Sequence, residues 1–342
     1  MLIMIILLLF LFLVCFYCWR FYPQQIMPIG EVIKISTPEY EKYRDDCLHP
    51  CVRETENGDY VMVQSPYYGW NNMVENPLFY RSNNLKDFGQ GLLLDDTPET
   101  GFNSDPNVFA EGDSVYCFWR TCHTPQCKKN GMEEMVIGGA ICEGKVSPKH
   151  LYIYNNWEKG DVTQCPILMK YDGKYRFYAV WYQYEPERKN KGVAVWEGTS
   201  LGNPDFNLVG TFEFDNPLVC DKLFQKKMGK KIWYFPRPKR YDLWHFDLFE
   251  YDGKLFMVSC AEKDDNIMLS VSTDWKHFKT IRKPLVNNHY SEVFIGYRQY
   301  YYKPTAVVKN GLLYLYYTAN AQDDPCRNHL FLSVKPICDL NY

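Results

Sequence analysis

WHFDLFEYDGKLFMVSCAEKDDNIMLSVSTDWKHFKTIRKP, residues 244–284, has the period of a small antiparallel sheet. Leu248 to Tyr251 and Lys254 to Ser259 flank Asp252-Gly253. Asp-Gly between apolar runs is the strongest short hairpin signal, because both residues tolerate positive φ. Ile267 to Ser272 alternates apolar with small polar residues, and Phe278 to Ile281 adds a short fourth strand. Four short strands in about forty residues is the size of one propeller blade. A single blade leaves both faces uncovered, so copies are expected.

The frame recurs as HPCVRETENGDYVMV (Gly58), DPNVFAEGDSVYCFW (Gly112), CPILMKYDGKYRFYAV (Gly173) and KPTAVVKNGLLYLYYTA (Gly311). Pro50, Pro106, Pro166 and Pro304 open the first strand of four copies, where a missing N–H costs least; Phe246 stands there in the fifth. The second half of the unit repeats as PLFYRSNNLKDF, GVAVWEGTSLGNPDF and IMLSVSTDWKHF. Successive hairpin glycines are 54, 61, 80 and 58 residues apart, so the largest insertion is expected between Gly173 and Gly253. The fold class is therefore all-β, a five-bladed propeller of four-stranded antiparallel blades. A two-sheet β-sandwich would show the same hairpins without a common axis.

Composition narrows the field. A chain of 342 residues suffices for one large all-β domain. Aromatics at 17% are expected mainly on strands, packing between blades, with a minority on loops able to stack on sugar rings. The net charge of −3 comes without long runs of either sign, and nothing indicates a nucleic-acid groove.

Met1 to Trp19 carry no charged side chain, and Arg20 ends the run. Nineteen apolar residues approach a bilayer's hydrocarbon thickness. No basic start or small-residue cleavage site suggests removal, whereas Phe16, Tyr17, Trp19, Phe21 and Tyr22 resemble an interfacial belt. Residues 1–20 are read as a transmembrane anchor, 21–45 as a tether and 46–342 as the propeller, giving a single-pass membrane protein. Arg20, Lys34, Lys42 and Arg44 follow the span and favour a cytoplasmic domain. A signal peptide of unusual make-up is the competing reading. Eleven cysteines outside the span, an odd number without regular spacing, argue against a disulfide framework. Cys122-His123 and Cys127 lack a second ligand pair, and no metal centre or other cofactor is expected.

Propeller geometry converts sequence position into location. Inner strands start at one rim of the central channel, and second strands return to it. His49, Asp105, Cys165, His245 and Lys303 occupy the starts; Gln64, Arg120, Tyr182, Gln183, Glu262 and Asn320 occupy the ends. Asp247, two residues beyond His245, faces the same way but deeper.

The frame DPNVFAEGDSVYCFW, with WHFDLFEYDGKLFMV, CPILMKYDGKYRFYAV and PLFYRSNNLKDF, resembles the five-bladed glycoside hydrolases of family 43 and their relatives in families 32 and 68, over roughly Cys47 to Val334. The resemblance implies paired carboxylates, one protonating the leaving oxygen while the other activates water or attacks. It also implies that Asp105, in its Asp-Pro, is the base or sets a pKa. Glu262 and Glu292 are candidate acids and Asp247 a candidate pKa modulator. His49, Gln183, His245, Lys303 and Trp244 are candidate substrate contacts, and Arg120 is placed to hold the carboxylate of a uronic or sialic sugar. His49 and Lys303 stand where family members often carry acids, which leaves the carboxylate set in question. The reading is a glycosidase acting on a polysaccharide or oligosaccharide, with a monomer and no nucleic-acid partner expected; a glycosidase belongs on the extracytoplasmic side. The alternatives are a non-catalytic carbohydrate-binding propeller or a protein-interaction propeller.

Overall fold

A computed structural model describes residues 2–21, 25–97, 100–129, 134–154, 161–183, 189–212, 215, 218–228, 231–261, 266–281, 283–287, 301–320, 324–340 and 342. It begins with helix α1 (Leu2–Phe21) and strand β1 (Glu31–Ile33). Blade one is β2 (Cys51–Glu54), β3 (Tyr60–Gln64), β4 (Leu78–Ser82) and β5 (Leu92–Leu93). Blade two is β6 (Phe102–Glu111), β7 (Ser114–Cys122) and β8 (Glu134–Cys142), with β9 (Lys145–Val146) and β10 (His150–Tyr154) both on β8. Blade three is β11 (Asp161–Tyr171), β12 (Lys174–Gln183), β13 (Lys189–Gly198) and β14 (Asn207–Phe212). A separate two-stranded hairpin follows, β15 (Leu218–Met228) and β16 (Lys231–Arg240). Blade four is β17 (Leu243–Tyr251), β18 (Lys254–Ala261), β19 (Asn266–Ser272) and β20 (Lys279–Thr280), with β21 (Val286–Asn287) also on β19. Blade five is β22 (Tyr302–Lys309), β23 (Leu312–Asn320) and β24 (Asn328–Pro336), completed by β1.

The hairpin β15–β16 accounts for the long gap between Gly173 and Gly253. Turn chemistry agrees with the sequence: Asp172-Gly173, Asp252-Gly253 and Asn310-Gly311 all hold positive φ at both residues, as two-residue turns matching strand twist require. The segment read as a tether does more than connect. Its residues 31–33 pair antiparallel with Leu330–Leu332 of β24, so the two ends of the domain share one blade. Gly30 permits that approach, because a Cβ there would meet the Leu332 backbone at 2.5 Å.

A sandwich has one core between two sheets; the described residues form five, each between successive blades. Val63 and Phe79 meet Val108 and Trp119 between blades one and two. Phe118 and Val136 meet Leu168 and Phe177 between two and three. Tyr178 and Val195 meet Leu248 and Met257 between three and four. Phe256 and Leu269 meet Leu315 and Tyr317 between four and five. Tyr316 and Leu332 meet Val52 and Met62, which closes the ring. The five-bladed propeller stands, and its aromatics are largely the inter-blade packing.

One expectation is not met. Among the described residues no helix is long and apolar enough to cross a membrane. The stretch read as an anchor holds α1 (Leu2–Phe21), on which every large hydrophobic side chain from Ile3 to Val14, and Phe16, is exposed. Those side chains extend over roughly 20 Å of helix, against about 30 Å of hydrocarbon.

Candidate metal centre at the funnel

A backbone irregularity repeats where the inner strands begin. Register shifts lie between Ser104 and Asn107, Gln164 and Ile167, and Tyr302 and Thr305. Within them Asp105, Cys165 and Lys303 take φ of 49°, 55° and 38°, each just before proline. That conformation is costly for a side-chain-bearing residue, about 1–3 kcal/mol. In return the extra residue leaves the ladder and its side chain is re-aimed. Blade four has the shift at Leu243/His245 without a proline.

His49, Asp105 and His245 converge from blades one, two and four, and all are buried. Their donor atoms lie within 4.8 Å of one another. Asp105 Oδ1 is 2.9 Å from His245 Nε2 and 3.5 Å from His49 Nε2. Adjacent ligands of a small divalent ion bound at 2.0–2.2 Å sit about 3–3.5 Å apart, so the spacing suits one.

The surroundings orient these atoms. His49 Nδ1 lies 3.0 Å from Glu75 Oε1 and 2.9 Å from Ser65 Oγ. With Nδ1 turned to that carboxylate, Nε2 faces Asp105 Oδ1. A carboxylate behind a histidine is the usual support for a metal ligand. Ser104 Oγ donates to the same Glu75 oxygen at 2.5 Å. Asp105 Oδ2 is held by Arg120 Nε at 2.8 Å and by the Cys165 N–H at 3.2 Å, which leaves Oδ1 toward the histidines. Arg120 Nη1 donates to Glu134 Oε2 at 2.7 Å and to the Thr163 carbonyl at 3.0 Å.

Electrostatics agree with a ligand set. Burial alone would raise Asp105, but the Arg120 guanidinium, with His245 and His49, holds it well below the usual carboxylate range. Burial pushes His245 down to about 3, so its ring is neutral at neutral pH, the form that ligates metals. His245 Nδ1 is buried with no hydrogen-bond partner among the described residues. Aromatic rings surround it: Tyr302 at 4.7 Å and Trp244 at 5.7 Å between centroids, with Trp244 Nε1–H donating to Tyr302 Oη at 2.8 Å.

The other expected site residues are distributed differently. Asp247 is not poised to tune a funnel acid: Arg53 takes both its oxygens, at 2.6 and 2.8 Å, and Thr305 Oγ1 donates to it at 2.5 Å. That buried cluster ties blades four, one and five together. Arg120 does not wait for a sugar carboxylate, since Asp105 and Glu134 already occupy it. Lys303 is buried with its ammonium against Cys165 Sγ, while burial pushes the Cys165 thiol up to about 11. Gln183 ends β12 half-buried at the rim, opposite Asp161. Glu262 and Glu292 lie outside the described residues. Cys122 Sγ lies 3.9 Å from Glu134 Oε2, and Cys127 Sγ donates to the Thr121 carbonyl at 3.3 Å. His49, Asp105 and His245 form a candidate ligand group that the sequence reading did not expect, from residues 56 and 140 positions apart, a spacing no local motif records. Glu75 and Glu134 were missed because neither starts an inner strand nor ends a second one.

No family model matches the chain, and no curated protein sequence matches it. Its architecture has clear counterparts among solved structures. An N-acetylgalactosamine deacetylase from F. plautii, in complex with blood group B trisaccharide, superposes with a TM-score of 0.67 at 13% identity, over 92% of this chain and 96% of that one. A Cellvibrio cellulosa α-L-arabinanase (0.51, 10% identity, 84% and 90%) and a Lactobacillus brevis α-L-arabinofuranosidase (0.52, 12% identity, 84% and 90%) are also similar. The fold is the five-bladed propeller found in carbohydrate-active hydrolases, family 43 among them. At these identities the likeness is one of fold.

Proposed function

We propose that this chain is a metal-dependent hydrolase acting on a carbohydrate, with removal of an N-acetyl group as its reaction. One observation carries the reading: the imidazoles of His49 and His245 and one ionised carboxylate converge at the funnel floor, backed by Glu75 and Arg120. Three protein ligands leave a divalent ion at least one open position. Such an ion supplies a Lewis acid for a carbonyl and a water acidified toward neutrality. His49, Asp105 and His245 would hold it. Glu75 fixes His49, Arg120 fixes Asp105, and Trp244 and Tyr302 wall the site with aromatic surface that suits a sugar face. The fold shared with a deacetylase over nearly the full length of both chains supports this choice.

Hydrolysis of a glycosidic bond is the second reading, favoured by the fold shared with an arabinanase and an arabinofuranosidase. It needs two carboxyl groups facing a substrate. Among the described residues, Asp105, Glu75 and Glu134 are each already engaged by histidine or arginine. The exposed apolar side chains of α1 support a further proposal, that the chain is held at a membrane with its propeller on the glycan-bearing, extracytoplasmic side.

Acetate release from N-acetylated oligosaccharides, beside turnover of aryl glycosides, separates the two reactions. The first reading expects acetate release that stops on chelation, returns with a divalent ion, and is lost in His245→Ala. Glycoside turnover indifferent to chelation would overturn it.

A further inference from the structure

The loop from β3 to β4 includes SPYYGWNNMV, residues 65–74, with three aromatic rings, two asparagines and no charged side chain. Trp70 is 62% exposed, more than any other large hydrophobic side chain outside α1 among the described residues. The backbone presents it there at a steric cost, since Gly69 and Trp70 take φ of 66° and 61° in succession. Glycine accepts that left-handed region freely, but a bulky indole there is an outlier. Outliers of this kind gather at ligand sites.

Three sets of contacts hold this loop at the funnel. Ser65, which opens it, and Glu75, which follows it, both reach His49 Nδ1, at 2.9 and 3.0 Å. Its middle leans on the blade-five loop of the same rim, where the Gly69 N–H donates to the Cys326 carbonyl at 3.1 Å, just before β24. Its base is pinned by the Tyr67 N–H, which donates to the buried Asp46 Oδ2 at 2.5 Å. Tyr67 then links the rings to the centre. Burial and the Glu75 charge push its hydroxyl above the ordinary value, and its ring meets Trp70 edge-on, with centroids 5.8 Å apart at 90°. Tyr68 is less open, because the Arg44 guanidinium lies over its ring at 5.9 Å. Asn71 and Asn72 are exposed beside the indole. Asn71 Oδ1 accepts from the Met73 N–H at 3.0 Å, and the other amide atoms of the pair have no partner among the described residues.

We propose that Trp70, Asn71 and Asn72 form a sugar-binding subsite at the funnel rim, which stacks a neutral sugar of the substrate beyond the one that reacts. This rests on the reading of the funnel as a carbohydrate hydrolase, and it makes the substrate an oligosaccharide gripped at two places. Chemistry sets the class. An indole offers a large, rigid apolar face on which the C–H side of a sugar ring packs. Sugar hydroxyls both donate and accept hydrogen bonds, as the two amides do. A phosphate or sulfate would need charged partners, which the loop lacks. The cation over these rings, Arg44, is itself 3.5 Å from Glu41. Continuity through Tyr67 and Glu75 to His49 ties the occupant to the molecule that reacts.

The test uses the full chain in non-ionic detergent on a printed array of neutral oligosaccharides, followed by calorimetric titration of the one bound best. Trp70→Ala is expected to bind it about tenfold more weakly than the parent. Trp70→Phe should stay within about threefold, because a smaller ring still stacks. Circular dichroism checks that both variants are folded, as substitution of an exposed side chain allows. Binding that survives Trp70→Ala overturns the proposal, and so does an array on which no neutral oligosaccharide is bound. Trp70-dependent binding to phosphatidylcholine vesicles, without any Trp70-dependent glycan binding, overturns it as well. The hydrolase reading fails separately, if the metal-loaded chain releases no acetate from the N-acetylated oligosaccharides it binds, and Trp70-dependent glycan binding would stand even then.

Discussion

Arg120 is the side chain whose removal the structure makes most costly. It is buried, it donates to two carboxylates and one carbonyl, and it holds Asp105 in the form the candidate centre requires. Arg120→Ala leaves Asp105 and Glu134 buried without their shared cation. Breaking a buried ion pair from one side costs about 3–5 kcal/mol, and here one guanidinium serves two acids. Part of the loss is offset, because Glu134 keeps the Thr163 N–H at 2.6 Å and Asp105 keeps its histidines. A net loss of about 3–4 kcal/mol is therefore expected in denaturant unfolding. Arg120→Lys should recover less than half of it, since a single ammonium does not reproduce the planar fork that reaches both acids. Saturating divalent ion should narrow the gap between Arg120→Ala and the parent, because the ion substitutes positive charge beside Asp105. A loss below about 1 kcal/mol, or full recovery with lysine, would refute this account of Arg120.

Three further outcomes are expected. Asp247→Ala strands Arg53 at the centre of the channel and should cost about 3–5 kcal/mol in denaturant unfolding while leaving bound-metal stoichiometry unchanged. Burial pushes Asp46 up to about 6, despite the Tyr67 and Asn328 N–H groups that donate to it. A carboxyl raised in the folded state contributes stability that is present below pH ~4 and is lost as pH rises through ~6, so Asp46→Asn should gain about 2–3 kcal/mol on the parent between pH 4 and 7 when both are unfolded in denaturant. Gly30→Ala pushes β1 off the Leu332 backbone and should cost about 1–3 kcal/mol, with faster amide exchange along β24 as the confirming measurement.

Much of the architecture was legible because a hairpin is a local event. Asp252-Gly253 and Asn310-Gly311 announce their turns within a few residues, and the prolines at 50, 106, 166 and 304 mark strand starts just as locally. The repeat then carried His49, Asp105 and His245 to one rim, although no short motif joins them. What they do there was not legible. Whether a rim histidine meets sugar or metal depends on Glu75 fixing its far nitrogen, and Glu75 sits in a β3–β4 loop that the repeat does not index. Arg120 was placed at the right rim, but its pairing with Asp105 and with Glu134, from the next strand, left no local signal. Asp247 was rightly placed deeper than His245, yet the bidentate Arg53 comes from another blade and leaves no trace near it in the sequence. The β1–β24 pairing joins residues some 300 positions apart, beyond any local signal.

The central claim is that His49, Asp105 and His245 form a metal site. Anomalous X-ray diffraction from crystals grown with zinc or manganese tests it most directly. One strong peak within about 2.3 Å of His49 Nε2, Asp105 Oδ1 and His245 Nε2 is the predicted result. Electron density showing the three side chains in direct hydrogen bonds, with the metal elsewhere or absent at saturating concentration, would contradict it.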